Sequence, residues 1–421
     1  MSRRASLSAA LLAIAVAAVP VHGAADVAAP RAAGARGIVA ALERSRASAV
    51  GRVEQVRALD VHGFAAALVV ETPLTGGLER GQIVELAWEE LARGRAPRFS
   101  ENDRILVALE RLPDASLWSQ RFPEPGARER VLAVAAEGDA FLRRPTLGSV
   151  ERLHHYLQLE PELRRSAAGA SILAQLVAFA ELPLARDAAR HLTSWPGIDK
   201  FVDEGIAGSL VDGLVRPDGS DALRAELLEL IVTRRLEAAR PALELIVEGE
   251  EPAPSVVYVA LARLDGGLTA ERSSELLGRD ALDLRVAGAR YASGPEAVAQ
   301  LRGLLRGDPA PEVRAAAVGR LVALERASAL EPALASLDDE ASLVRGAAAK
   351  ALAGLGAPAV GPLVEVAKGG SPEAAQAAVL ALRKTETRES LRALRSLASS
   401  HPDSQIRSLA TLALGSMGEH H

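Results

Sequence analysis

Residues 308–318 read Asp-Pro-Ala-Pro-Glu-Val-Arg-Ala-Ala-Ala-Val, and residues 338–352 read Asp-Asp-Glu-Ala-Ser-Leu-Val-Arg-Gly-Ala-Ala-Ala-Lys-Ala-Leu. Both stretches have an acidic start, a Val-Arg pair and a run of small residues, and the two Val-Arg pairs lie 31 residues apart. The same spacing leads on to Ala375-Gln376 and Ile406-Arg407. Self-similarity at a fixed period of this length is typical of a stacked repeat array.

The copy from Asp338 to Lys368 indicates what one repeat is made of. Its first part carries apolar residues at helical spacing from Leu343 to Leu355, which would form one broad face of an α-helix. Gly356 ends this helix, and Pro358 stands at a favoured start for a second one. Each repeat is therefore predicted to be two helices joined by a tight turn. Because one such hairpin cannot bury its apolar face alone, stacked neighbours must cover it.

The pattern continues upstream of these stretches with looser spacing. Leu284-Arg285 opens a copy 29 residues before Val313-Arg314, and residues 251–264 parallel the segment 308–318. From about residue 150 to residue 215, apolar stripes at helical spacing continue without the Val-Arg signature. We therefore predict one mainly α-helical array over residues 146–421.

The residues quoted above resemble HEAT repeats, in particular the short HEAT-like repeats known from phycobilisome lyases. The resemblance implies an α-solenoid of about seven to eight helical hairpins. It does not imply lyase activity, because many proteins without that activity share the motif. In such repeats an Asp and an Arg bond to neighbouring turns and form a structural ladder. The residues at the matching places in this chain are Asp308, Arg314, Asp339, Arg345 and Arg407.

Two copies depart from this ladder pattern. The third copy has Gly370 and Gln376 at the Asp and Arg places, and the fourth has His401 at the Asp place. Glycine has no side chain that could bond to a neighbouring turn. The ladder is therefore expected to be interrupted towards the C-terminal end.

The N-terminus has the three parts of a secretory signal. Arg3-Arg4 are basic, residues 7–19 are apolar, and Gly23-Ala24-Ala25 offer a small-residue cleavage site. We predict a bacterial signal peptide over residues 1–25, of the Sec type rather than the twin-arginine type, and a linker over residues 26–36. The mature protein would be periplasmic or secreted. The apolar run is short for a membrane span, so no stable span is expected after cleavage; an uncleaved anchor is the alternative.

Residues 37–145 have a different apolar period. Short runs of period two at 50–56, 65–70, 82–88, 105–109 and 131–135 are separated by glycine-containing turns, which predicts a small antiparallel β-barrel. The segments Val50-Gly51-Arg52-Val53, Gly81-Gln82-Ile83-Val84, Arg98-Phe99 and 103–107 resemble exported bacterial domains with an OB-like, inhibitor-like barrel.

Two aromatic residues of this domain are candidates for ligand binding. OB-like barrels often bind oligonucleotides or sugars through aromatic faces. Trp88 and Trp118 could form such a platform. The alternative is that both indole rings are buried, as large aromatic side chains usually are.

Composition and motifs offer little for catalysis. The chain has no cysteine, which excludes disulfides, thiolate metal sites and cysteine nucleophiles. The clustered histidines are His154-His155 and His191, and adjacent histidines on a helix point about 100° apart. The carboxylate clusters Glu89-Glu90 and 338–340 lie at predicted turns or helix starts. We predict no catalytic, metal-binding or cofactor-binding residues and no cofactor.

These observations favour a non-enzymatic exported scaffold or adaptor that binds a protein partner through the surface of the solenoid. The formal net charge of −5 gives no reason to expect a nucleic-acid partner for the chain as a whole. Two alternatives stay open. One is an envelope enzyme or enzyme accessory with a site in the groove between barrel and solenoid. The other is a carbohydrate- or nucleic-acid-binding head on the barrel.

Overall fold

The computed structural model describes residues 37–90, 98–113, 116–124, 126–135, 141–249 and 251–418. The predicted signal peptide and linker, residues 1–36, lie outside these ranges. The described residues form two compact units, a first unit that ends at Pro252 and a second unit that begins at Ala253.

The first unit begins with a short helix and a β-domain. Two further short helices stand between the fourth and the fifth strand. The elements in chain order are α1 (Ile38–Arg44), β1 (Ala47–Ala58), β2 (Gly63–Thr75), β3 (Ile83–Glu89), β4 (Arg104–Arg111), α2 (Ser116–Arg121), α3 (Ala127–Arg130), β5 (Val131–Val134) and β6 (Phe141–Arg143).

The strands form a closed barrel. They follow one another in the order β1-β2-β3-β5-β4, and β4 pairs back onto β1 with Leu106 opposite Val50. Strand β6 pairs with the first half of β4 and β5 with its second half. The predicted small β-barrel is confirmed, but it is not wholly antiparallel. Strands β3 and β5 are parallel, with Leu86 opposite Leu132. This follows because β4 runs back along the sheet and β5 then pairs antiparallel with β4, which gives β5 the direction of β3.

Alternate residues along each strand fill the barrel. The interior positions are two apart, as expected for side chains on one face of a strand. They include Ala66, Leu68 and Val70 on β2, Val84, Leu86 and Trp88 on β3, and Ile105, Val107 and Leu109 on β4. The period-two pattern of the sequence therefore marks the residues of the barrel core.

The rest of the first unit is helical. It continues with α4 (Leu147–Gln158), α5 (Pro161–Arg164), α6 (Ala167–Phe179), α7 (Leu182–Thr193), α8 (Glu204–Val215), α9 (Asp221–Thr233) and α10 (Arg240–Val247). The predicted boundary between barrel and solenoid lies at residue 145, whereas the compact unit that contains the barrel extends to Pro252.

Helix α1 joins the barrel to these helices. It packs against β4 on one side and α7 on the other, and residues 38–42 are buried. Asp187 of α7 caps α1, because its carboxylate accepts a hydrogen bond of 2.8 Å from the Val39 N–H. At Gly37, where φ is +143°, an added Cβ would lie 1.6 Å from that carboxylate. Only glycine can therefore bring the backbone this close to Asp187.

The second unit consists of five helical hairpins and a final single helix within residues 253–418. The helices are α11 (Ser255–Asp265), α12 (Ala270–Leu277), α13 (Leu282–Tyr291), α14 (Pro295–Gly307), α15 (Pro311–Glu325), α16 (Leu330–Ala335), α17 (Ser342–Ala353), α18 (Ala357–Gly369), α19 (Pro372–Thr385), α20 (Arg388–Ser400) and α21 (Ser404–Gly418).

The first helix of each hairpin packs directly against the first helix of the next one. This layer is formed by helices α11, α13, α15, α17, α19 and α21. On the first helices of the last four copies, the same place is occupied by a fully buried alanine: Ala317, Ala348, Ala378 and Ala410. Alanine lets neighbouring helix axes come close, and aliphatic side chains fill the remaining space.

The fold class is confirmed: the chain is mainly α-helical, with a helical solenoid that follows a small β-barrel. Within the described ranges, none of the helices has the length and apolar character needed to cross a membrane.

Candidate protein-interaction surface

The predicted ladder residues lie in the loops and first turns of the repeats. Arg314 on α15 is buried, and its Nε and one terminal nitrogen each donate a hydrogen bond of 2.9 Å to the carboxylate of Asp339. Its other terminal nitrogen donates to the Asp308 carbonyl at 2.9 Å. One guanidinium therefore joins the loop before α15 to the loop before α17. The two-pronged geometry is the strong form of an Arg–carboxylate contact.

Asp339 has a second role at the start of α17. Its Oδ1 also accepts a hydrogen bond of 2.8 Å from the Ala341 N–H. Burial alone would raise the pKa of Asp339, but the hydrogen bonds from Arg314 and Ala341 outweigh it and hold that pKa below its ordinary value. The carboxylate is thus ionised at neutral pH and contributes to stability in that form.

The contacts of the other ladder residues are weaker or are made to the backbone. Asp308 is 3.8 Å from Arg285, one repeat earlier. Arg345 donates to the carbonyls of Asp339 and Glu340 at 2.8 and 2.9 Å. Arg285 and Arg345 therefore each hold a loop in place. The two-pronged side-chain contact between repeats is made by Arg314.

The last two copies make other contacts. Arg407 donates to the His401 carbonyl at 2.6 Å, which repeats the contact that Arg314 and Arg345 make with their own loops. The buried His401 ring bonds through Nε2 to the Ala367 carbonyl at 2.9 Å. A histidine of the fourth copy thus bridges to the second helix of the second copy, at the place where the first two copies have aspartate. At the third copy, Ser371 donates to the Asp338 carboxylate.

The clustered histidines do not converge on a common point. The rings of His154 and His155 are 6.4 Å apart between centroids and tilted. His191 is buried on α7, and its Nε2 lies 3.7 Å from a Glu43 oxygen that belongs to α1. Burial lowers the pKa of His191, and Glu43 opposes that shift only in part. No three His, Asp or Glu side chains among the described residues are arranged to hold a metal ion.

Glu43 is instead part of a structural contact. It accepts a hydrogen bond of 2.6 Å from the Tyr156 hydroxyl, and Tyr156 is the largest fully buried side chain of the described residues. Burial, together with the nearby Glu43 charge, raises the pKa of Tyr156 far above its ordinary value. The phenol therefore remains a neutral donor that ties α4 to α1. Residues so far apart in the sequence gave no motif that could predict this contact.

Trp88 and Trp118 do not form an exposed platform. Trp88 is 3% exposed and lies inside the barrel, edge-on to Phe99 with 4.9 Å between ring centroids. Trp118 is 5% exposed and covers the outside of the barrel from α2. The structure therefore contradicts the ligand-platform hypothesis, because neither indole offers a free face on which a base or a sugar could stack.

Arg121 covers the remaining face of Trp118. Its guanidinium carbon lies 4.5 Å from the Trp118 ring centroid. It donates to both Asp60 oxygens at 2.6 and 2.9 Å and to Glu89 at 2.6 Å. The hydrogen bonds from Arg121 hold the pKa of Asp60 well below its ordinary value, although burial opposes the shift. Arg121 thus fastens the loop between β4 and β5 to the loop between β1 and β2.

A groove of the first unit lies at the place considered for an enzyme site. It has a volume of about 340 Å³ and is lined mainly by apolar side chains of α1, β6 and α7. Asp187 in its wall already caps α1, and Arg190 lies 3.4 Å from Glu226. Asp187 and Arg190 of the groove therefore already have structural partners.

The two helix layers of the second unit present different surfaces. The second helices expose charges of both signs, including Glu331, Glu365, Lys368, Glu389, Arg392 and Arg395. The first helices expose mainly small, aliphatic or neutral residues four positions apart, which places them on one side of each helix. We name these residues the first-helix face: Gly319, Ala323, Gly346, Lys350, Leu380, Lys384, Ser408 and Leu412.

Sequence reasoning missed this face because the third copy is shifted. Leu380 and Leu412 occupy the same place on neighbouring helices, yet they are 32 residues apart rather than 31. Leu382 falls one place early in the same copy. Once that shift is allowed for, Gly319, Lys350, Leu380 and Leu412 align on four successive first helices.

The ladder geometry predicts unequal effects for two similar substitutions. Arg314→Ala should destabilise the second unit by about 3 kcal/mol, because it leaves the largely buried Asp339 carboxylate without its charged partner. Arg345→Ala removes bonds to backbone carbonyls only and should cost about 1 kcal/mol. Urea unfolding followed by far-UV circular dichroism measures both. Equal effects would contradict the assignment of the charged contact to Arg314.

The same contact predicts a pH dependence. The pKa of Asp339 is lowered by folding, so its contribution is present above the unfolded pKa of about 4 and is lost as pH falls through the lower folded pKa. The stability difference between wild type and Arg314→Ala should therefore shrink below about pH 4. A difference that stays constant down to pH 2.5 would show that the Asp339 charge does not contribute.

Comparison with known proteins identifies the repeats. A family model described as HEAT repeats matches residues 298–369 and 360–421. No curated protein shows significant similarity to the chain. A solved structure of human deoxyhypusine hydroxylase in complex with glycerol is 17% identical and covers 61% of this chain and 97% of that chain, with a TM-score of 0.25. The predicted resemblance is confirmed for the C-terminal region, where residues 298–421 match the HEAT-repeat family model.

Proposed function

We propose that this protein is a non-enzymatic exported scaffold that binds a protein partner through the surface of its helical solenoid. The observation that carries the proposal is the first-helix face of the HEAT-repeat region. Repeats of this kind commonly present an extended surface to other proteins. Gly319 of this face is half-buried and its other residues are exposed, on the first helices of four successive copies. The ladder contacts hold loops at the start of those helices.

Export is proposed from the sequence of residues 1–25. The basic start, the apolar core and the small residues before Asp26 have the order of a secretory signal. The absence of cysteine from the whole chain is compatible with an oxidising compartment, because no thiol could form an unwanted disulfide there.

The partner proposal is tested by affinity capture. The bait is the mature chain, which begins at Asp26, and the partner is captured from an envelope extract of the protein's own source. We expect a protein to be recovered at comparable molar amount. The matched control bait is Ala348→Asp, which buries a charge in the first-helix layer and should unfold the second unit. All three tryptophans, Trp88, Trp118 and Trp195, precede Pro252, so unchanged tryptophan emission shows that the first unit is intact.

The two baits separate the possible outcomes. Loss of the partner from Ala348→Asp, with unchanged tryptophan emission, supports recognition by the solenoid. A partner that stays bound to Ala348→Asp would show that the first unit recognises it and that the solenoid proposal is wrong. Recovery of no protein by the wild-type chain would also overturn the proposal.

The export proposal is tested by localisation and intact mass. We expect the wild-type protein in the exported fraction, with a mass that lacks residues 1–25. Leu11→Arg combined with Leu12→Arg interrupts the apolar core and should leave the full-length chain in the cytoplasm. Arg31→Ala, which lies beyond the predicted cleavage site, is the control and should be processed normally. Full-length wild-type protein in the cytoplasm would contradict export.

A further inference from the structure

The first-helix face carries positive charge that none of the described residues neutralises with an ion pair. Lys350 and Lys384 are exposed, and neither forms an ion pair with another described residue. Lys368 on the second-helix layer differs, since its Nζ lies 3.6 Å from Glu365. An exposed cation without a partner attracts carboxylates from solution or from another molecule.

The acidic residues of the same helices lie elsewhere. Glu312 and Glu373 are in the first turns of α15 and α19, where carboxylates favour the helix N-terminus. Glu325, at the end of α15, is 2.6 Å from Arg302 of the preceding hairpin. Helices α17 and α21 contain no acidic residue. The first-helix face therefore contains two lysines and no acidic residue, although the exposed Glu386 follows Lys384 at the end of α19.

Two leucines add an apolar contact next to the lysines. Leu380 is 38% exposed and Leu412 is 71% exposed, at the same place on neighbouring helices. A shallow depression of about 320 Å³ lies beside Leu412 and is lined by Ser404, Gln405, Ser408 and Leu409. Leu380 and Leu412, with the depression beside Leu412, supply the apolar part of the surface.

Two glycines in the same face have no role in internal packing. Gly319 and Gly346 lie inside helices, and an added Cβ at either position would meet no atom within 4 Å. Glycine inside a helix costs roughly 1 kcal/mol relative to alanine. Their absent side chains leave the helix backbone open to close approach by another element.

We propose that the first-helix face binds an amphipathic helix of a partner protein, whose apolar side contacts Leu380 and Leu412 and whose flanking carboxylates face Lys350 and Lys384. This inference rests on the proposed scaffold function. A helix is favoured over an added strand because the backbone groups of the face are already bonded within helices. An acidic partner is favoured over a second copy because a two-fold contact of the face with itself would bring lysines together.

The test uses two synthetic amphipathic peptides and the full-length chain. Both peptides have the same leucine stripe, which is flanked by glutamates in one and by lysines in the other. Fluorescence anisotropy should show that the glutamate peptide binds at least about tenfold more tightly, with a preference that weakens at high salt. The combined variant Lys350→Glu with Lys384→Glu should reverse the preference. Lys368→Glu is the matched control and should preserve it.

The remaining outcomes overturn the inference. Equal binding of the two peptides would show that charge does not select the partner. An unchanged preference in the combined variant, or an equal loss in Lys368→Glu, would place the site elsewhere. Sedimentation of the chain alone as a dimer that the combined variant abolishes would identify a second copy as the occupant.

The scaffold proposal can fail or survive separately from this inference. If a captured partner is lost from Ala348→Asp but stays bound to the combined lysine variant, the solenoid is the binding element and the first-helix face is not. Unchanged thermal unfolding by circular dichroism shows that the combined variant is folded, which is expected because both lysines are exposed.

Discussion

Each helical hairpin of the solenoid has an apolar face that only the next hairpin can cover, and the rest of the second unit follows from this constraint. The close contact is made at one repeated place, where Ala317, Ala348, Ala378 and Ala410 are fully buried. Larger side chains there would push neighbouring helices apart. Because the inner side of each helix is committed to packing, its outer side is where function can vary from one repeat to the next.

Polar side chains in both units serve mainly to hold loops and helix ends. Arg314 joins two repeat loops through Asp339, Arg121 joins two barrel loops through Asp60 and Glu89, and Asp187 caps α1. In each contact a partly or fully buried charge meets an opposite charge or a free backbone N–H, as burial requires. These residues are thus explained by architecture, whereas the surface that we propose for recognition is the first-helix face.

The sequence was sufficient for elements whose pattern is local and periodic. The 31-residue period located the repeat helices, and period-two runs located the main barrel strands. The same alternation could have shown that Trp88 is buried, since it is in phase with Val84 and Leu86. Contacts such as that between Asp187 and Val39, 148 positions apart, have no local pattern and needed the structure. The first-helix face was hidden by a shift of a single residue in the third copy.

The central claim is that the solenoid meets its partner on the first-helix layer. The most direct measurement is photocrosslinking in the source cell, with a photoreactive residue placed at Leu412 in one strain and at Arg392, on the second-helix layer, in another. Both positions are exposed, so neither replacement should disturb packing. The account predicts a covalent adduct to one protein from Leu412 and none from Arg392. An adduct from Arg392 alone, or from neither position, would contradict it.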